Sequence, residues 1–169
     1  MTLASVRAFL AAHAPDVLIT ETEASSATVA DAAAAYGVAH GQIAKTLTLK
    51  TAAGVVLLVT RGDARLDNRK AKAQFGKKLS MVDVAQVEAL TGHPVGGVTP
   101  FGLAQPLPVY CDVSLNAFAD VIPAAGSGNS AVRIAPARLA EITGAQWVDV
   151  CEVPALDALA YSGDQEPNA

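Results

Sequence analysis

A chain of 169 residues, 51% hydrophobic but only 5% aromatic, can fill one aliphatic core, and a net charge of −4 argues against wholesale coating of nucleic acid. No apolar run reaches the roughly 20 residues that cross a bilayer, and the first ten residues lack the basic start and apolar stretch of a secretion signal. Cys111 and Cys151 form no CxxC motif and have no histidine-rich neighbourhood, which fits a reduced, cytoplasmic protein while leaving one disulfide open.

In chain order, Ser5 to Ala14 reads as a short amphipathic helix stopped by Pro15, and Val17 to Thr20 as a strand. Ser26 to Tyr36 is an alanine-rich helix with serine at its N-cap and Gly37 as its stop. Two β-prone runs, Lys45 to Lys50 and Val55 to Thr60, are joined by Thr51-Ala52-Ala53-Gly54 and predict a hairpin. Asn68 to Phe75, ending at Gly76, and Val84 to Leu90 are short helices. Pro94 to Pro108 holds four prolines and three glycines and forms no regular element; a loop of that length in a compact domain is usually functional or disordered. Val109 to Val113, the stretches around Val121–Ala124 and Ala131–Ile134, and Trp147 to Val150 are strands. Pro136 to Ile142 is a helix with proline in its first turn. The mixture predicts a single α+β domain over residues 1–160, with a mixed, largely antiparallel sheet flanked by short helices, followed by a polar tail over 161–169.

Charge is unevenly placed. Between residues 61 and 78, seven basic residues face two acidic ones, so this segment carries +5 and the remainder −9. Such a patch suits a partner with a few phosphates, and it equally suits a solvated helix face.

Several chemistries have no motif here: GxxxxGK[ST], GxGxxG and GxSxG are absent, and His13, His40 and His93 lack metal-ligand spacing. What stands out is Lys45, a cation inside the apolar run Gly41-Gln42-Ile43-Ala44-Lys45-Thr46-Leu47. A buried ammonium is costly unless an anion or carbonyls meet it. Two later turns, Gly96-Gly97-Val98-Thr99-Pro100-Phe101-Gly102 and Ala125-Gly126-Ser127-Gly128-Asn129, are of the kind that exposes backbone N–H groups. Together they outline a pocket for a polarised carbonyl or a phosphate, although alone Lys45 reads first as an edge-strand lysine that blocks aggregation.

These segments resemble the YbaK/prolyl-tRNA synthetase-associated domain family. Gln42-Ile43-Ala44-Lys45-Thr46-Leu47 is similar to its lysine strand. Thr91-Gly92-His93-Pro94-Val95-Gly96-Gly97-Val98-Thr99-Pro100-Phe101-Gly102 resembles its GxxxP loop, and Leu107-Pro108-Val109-Tyr110-Cys111-Asp112 its "lpvyvD" strand. The matches run in order over residues 20 to 150. The resemblance implies an α+β deacylase of mischarged aminoacyl-tRNA, commonly alanyl- or cysteinyl-tRNA(Pro), working without metal or other cofactor. It implies catalysis by Lys45 with backbone amides of Gly96 and Gly126, and substrate contacts from Thr46, Gly97, Val98, Thr99, Pro100, Phe101, Ser127, Gly128 and Asn129. Losing one oxyanion donor typically costs about 2.7–4 kcal/mol of transition-state stabilisation. The nucleophile is water or a group of the substrate itself.

The tRNA acceptor end would meet Arg61, Arg65, Arg69, Lys70 and Lys72, with prolyl-tRNA synthetase a candidate partner and no membrane involved. The chain departs from prolyl-editing relatives in having no His-Pro pair in its second glycine loop, which leaves the rejected amino acid open among alanine, cysteine, serine and threonine. Two other readings stand beside the enzyme: a non-catalytic tRNA- or synthetase-binding module, and a small-molecule hydrolase or amino-acid binder.

Overall fold

The computed structural model describes residues 2–154, so the expected boundary at 160 and the tail over 161–169 lie outside the described residues. The elements run α1 (Thr2–His13), β1 (Ile19–Glu21), α2 (Val29–Tyr36), a 3-10 turn (His40–Gln42), β2 (Ile43–Thr51), β3 (Gly54–Arg61), β4 (Arg65–Leu66) and α3 (Asn68–Phe75). They continue with β5 (Ser80–Met81), α4 (Val84–Thr91), β6 (Val109–Asp112), a second 3-10 turn (Val113–Ala117), β7 (Ile122–Pro123), β8 (Ser130–Val132), α5 (Pro136–Thr143), β9 (Gln146–Val148) and β10 (Cys151–Glu152).

Local chemistry sets the boundaries. Helix α3 is capped by the Asp67 carboxylate, which accepts from the Arg69 and Lys70 amides, and it ends at Gly76 in the left-handed conformation. Helix α2 starts later than its serine predicts. Thr28 is the N-cap, accepting from the Asp31 amide at 3.0 Å, because Ser26 is engaged elsewhere: its amide and hydroxyl both donate to the Gly128 carbonyl.

The main sheet has six strands in the order β5-β2-β3-β6-β9, with β7 also pairing β2. Strands β2 and β3 form the antiparallel hairpin, with eight residue pairs from Ala44↔Arg61 to Thr51↔Gly54. Strands β6 and β9 extend it in parallel, so the chain must cross over, and the segment carrying α3 and α4 is the first crossover. Two small antiparallel ladders, β1 with β8 and β4 with β10, complete a domain that is α+β and mixed, antiparallel in four of its seven ladders among the described residues.

Strand β3 is buried on both faces, which is why Val55–Val59 reads as an unbroken apolar run. Leu57 and Val59 join Val6, Leu10, Phe101, Cys111, Leu115 and Leu139 in one core. Leu58 and Val56 point the other way, to Leu49, Ala71, Val148 and Val150. Each such leucine contributes about 1.5–3 kcal/mol through burial.

The outer edge of β2 is interrupted. Strand β7 covers it at Ile43 and Ala44, and β5 at Leu49 and Lys50. Among the described residues no strand pairs with Lys45–Thr48 on that side. The Val82 amide donates to the Thr48 carbonyl at 3.0 Å, so the even-numbered residues of β2 turn their backbone groups outward. By that alternation the N–H and C=O of Thr46 face the gap.

Candidate active site

The gap opens into a cavity of about 210 Å³. One wall comes from the 26–32 segment (Ser26, Ala27, Thr28, Val29, Ala32), the floor from β2 (Ile43 to Thr46, and Thr48), and the far wall from Met81, Val82, Val84 and Val87. Val95, Gly96 and Val98 close one end, with Ile122, Ala124, Ser130 and Ala131 behind. Most of the lining is small or aliphatic. Its polar groups are Lys45 and a few hydroxyls, among them Thr46 Oγ1, which is buried and has no hydrogen-bond partner.

Lys45 is half-buried, and its Nζ donates to the Ala64 carbonyl at 2.7 Å. An ammonium has three donors; this contact uses one of them and aims the side chain. Burial pulls its pKa below the ordinary lysine value, and the nearby Asp63 pushes the other way. The lysine is a half-buried sheet residue that borders the cavity, rather than a solvated edge guard.

The two glycine turns are braced against each other. An added Cβ on Gly97 would stand 2.7 Å from the Ser127 amide nitrogen, so only glycine permits this approach. The Gly126 amide donates to the Gly97 carbonyl at 3.1 Å, and the Gly97 amide to the Pro94 carbonyl at 2.9 Å. This corrects the expected role of Gly126: its N–H is spent on bracing, and it does not line the cavity. Gly96 does line it, at φ +94°.

The remaining expected substrate contacts divide the same way. Thr46 and Val98 reach the cavity, whereas Gly97, Thr99, Pro100, Phe101, Ser127, Gly128 and Asn129 are not among the residues that line it. Phe101 is fully buried against Phe9. The Asn129 amide group donates to the Thr22 carbonyl at 2.9 Å, and Ser127 bonds the Asn129 side chain at 3.0 Å and the Ser130 hydroxyl at 2.6 Å.

His93, at first sight one of three scattered histidines, anchors the GxxxP loop. Its Nε2 lies 2.8 Å from the Phe101 carbonyl, which can only accept, so Nε2 carries the proton and Nδ1 is left unpartnered. Desolvation lowers its pKa, and the bond to Phe101 partly opposes that. Asp112 is structural, accepting from the Val150 amide at 2.8 Å and the Ser114 amide at 3.0 Å. Sequence reasoning missed the far wall, Met81 to Val87, and the Ser26–Val29 wall, whose residues carry no motif. Thr48 had one usable signal, its period-two relation to Thr46.

The sequence profile described as "aminoacyl-tRNA editing domain" matches residues 23–142. The chain belongs to that family. Three known proteins are similar to the chain. The uncharacterised YwhH protein of Bacillus subtilis is 44% identical over 154 residues, covering 90% of this chain and 98% of that one. EbsC of Enterococcus faecalis, proposed to be a Cys-tRNA(Pro)/Cys-tRNA(Cys) deacylase, is 32% identical over 120 residues, covering 70% and 73%. The crystal structure of a protein proposed as a trans-editing enzyme for prolyl-tRNA synthetase superposes with a TM-score of 0.82 at 34% identity, covering 89% of this chain and 97% of that one. Editing is hydrolysis of an aminoacyl ester, so this editing-domain protein is an enzyme of the deacylase class.

On the editing domain the basic segment is less uniform than its composition. Arg61 is buried, pairing through Nε and a terminal nitrogen with Asp63 at 2.7 and 3.1 Å and lying over the Phe118 ring. It is no surface contact for tRNA, because its charge is met inside the fold. Lys70 is held by the Asp149 carboxylate and the Cys151 carbonyl, both at 3.0 Å. Arg65, Arg69 and Lys72 are exposed and remain suited to phosphates. Among the described residues no helix is long and apolar enough to cross a membrane.

Proposed function

We propose that this protein is a trans-editing hydrolase that removes a small amino acid, alanine or cysteine, from mischarged tRNA(Pro), acting in the cytoplasm where charged tRNA is used. The observation that carries this reading is the meeting of Lys45, Thr46 and Gly96 at one small, mostly aliphatic cavity. A volume of about 210 Å³ walled by Ala32, Ala44, Ala131, Val29 and Val87 suits a short side chain. Differences among such side chains are worth only about 1–3 kcal/mol, so shape grades substrates rather than excluding all but one.

The ester is already activated, so the site has to position it and stabilise the oxyanion. On this reading two backbone groups that border the cavity do that work, the Thr46 N–H on the unpaired edge of β2 and the amide of Gly96. Lys45 adds a point charge at the ester or the adjoining ribose oxygen. Water attacks the carbonyl carbon and gives up a proton as it does so, a neighbouring substrate hydroxyl serving to relay it. The resulting tetrahedral oxyanion collapses, expelling the ribose oxygen of the tRNA, which takes up a proton as it leaves.

The test is a deacylation panel of Ala-, Cys-, Ser-, Thr- and Pro-charged tRNA(Pro), with Lys45→Ala alongside. Rapid hydrolysis of the alanyl or cysteinyl species, lost in the variant, supports the assignment. Preferential hydrolysis of the seryl, threonyl or prolyl ester would overturn the substrate. Tight tRNA binding with no hydrolysis of any would favour a binding module instead.

A further inference from the structure

Three of the six large apolar side chains that are exposed among the described residues border the cavity. Met81, Val84 and Val95 are 57%, 71% and 58% exposed, yet each also lines the cavity. Apolar residues that line a site and still face water offer a seat to whatever part of the ligand remains outside it. For an aminoacyl ester, that part is the terminal adenosine, whose base has flat apolar faces.

Charge around the mouth is lopsided. On the α2 side Glu23 and Asp31 are exposed. On the β5 side lie three exposed lysines. Lys50 is paired with Ser80, next to Met81. Lys78 precedes Met81 by three residues, so their Cα atoms lie within about 11 Å, and Lys77 is its neighbour in sequence. Asp83, also exposed, is the only acid between the lysines and Val84. None of the three lysines takes part in an ion pair among the described residues.

We propose that the Met81–Val84–Val95 rim seats the terminal adenine of the tRNA, and that Lys50, Lys78 and Lys77 carry the phosphates of the preceding nucleotides away along β5. The surface rests on the deacylase reading for the identity of its ligand. It differs from the α3 patch in directing the single-stranded 3′ end across the outer edge of the sheet, continuous with the cavity. The strand leaves toward the lysines because the exposed charges next to the 26–32 wall in sequence, Glu23 and Asp31, are acidic.

The experiment measures binding apart from hydrolysis. A 5′-fluorescein single-stranded RNA ending in ACCA is titrated by anisotropy against the same oligomer with an abasic 3′ residue, over a range of salt. Wild type is expected to favour the adenosine-ended oligomer by about tenfold, within the range of base stacking. Met81→Ser/Val84→Ser/Val95→Ser should lose that preference while keeping the salt slope. Lys50→Ala/Lys77→Ala/Lys78→Ala should keep the preference and flatten the slope by about 2, since a single strand loses roughly 0.7 per phosphate contact. All six side chains are exposed, and urea midpoints check the fold. Equal affinity for the two oligomers, or an unchanged slope in the lysine variant, overturns the surface. Ala-tRNA(Pro) hydrolysis is followed on the same preparations. A wild type that discriminates the 3′ adenosine but cleaves no ester supports the surface and removes the deacylase reading; the opposite pattern does the reverse.

Discussion

The Lys45 ammonium donates to the Ala64 carbonyl across 2.7 Å, a bond from the first part of β2 to the turn that follows β3. It fixes a charge beside an apolar cavity at a desolvation cost that is present whenever the amine is protonated. Lys45→Met should therefore lower kcat by at least about 100-fold while changing stability by no more than about 1 kcal/mol in either direction. The pH dependence has a defined sign. A lysine pKa lowered in the fold makes the wild type gain stability as pH rises from that lowered value toward the ordinary lysine value. Urea denaturation across alkaline pH should show the wild type gaining on Lys45→Met; a constant difference would mean that Lys45 is not desolvated.

Gly97 is the position where the two glycine turns touch. Gly97→Ala places a methyl 2.7 Å from the Ser127 amide nitrogen, and the neighbour is backbone, so the turns must part. We expect about 1–3 kcal/mol of destabilisation and a fall in kcat/KM of tenfold or more, since Gly96 moves with its neighbour. Unchanged turnover in a folded variant would show that Gly96 need not be held by this contact.

His93 predicts acid sensitivity. Its pKa is lowered by burial, so below the ordinary histidine value of 6.5 the unfolded chain takes up a proton that the native state refuses. Stability should decline as pH falls from about 6.5 toward the lowered pKa, and the GxxxP loop should loosen with it. His93→Gln keeps a donor for the Phe101 carbonyl without a titrating ring, and its thermal midpoint should vary less between pH 7 and pH 5 than that of wild type. Equal variation in the two would place the acid sensitivity elsewhere.

Both thiols are free, buried and pushed up to about 12, in each case chiefly by burial. Neither Cys111 nor Cys151 should react with a thiol reagent at pH 8 until the protein unfolds, and both should then react. Above pH 9.0, the ordinary value, the unfolded thiols ionise first, so these groups draw stability down as pH rises. Rapid labelling of the native protein would contradict their burial.

Much of this was legible in the residues, for reasons that are local. The β2–β3 hairpin and α3 announce themselves through β-prone runs, a glycine turn and a helix-stopping Gly76, all decided within a few residues. Two-residue strands such as β4, β5 and β10 carry no pattern of their own and exist only because a partner passes by. The same limit applied to the site. Lys45, Thr46 and Gly96 lay in recognisable motifs. The use of the Gly126 amide depended on what stood opposite, and Arg61 looked like surface charge until Asp63 closed on it inside the fold. The wall from Met81 to Val87 reads as ordinary apolar helix and strand, and nothing short of the tertiary arrangement turns it toward the cavity.

The break in the outer ladder of β2 also bears on how this enzyme class can diversify. The two closing pieces, β7 and β5, come from parts of the chain about 40 residues apart, and neither contributes to the core that β3 shares with α1 and α5. Insertions or register slips in the 77–84 stretch would resize the opening as a sash resizes a window, leaving the frame intact. Drift in amino-acid preference between relatives should therefore concentrate in that short stretch, and grafting it from one relative to another is the most economical route to a deacylase of altered selectivity.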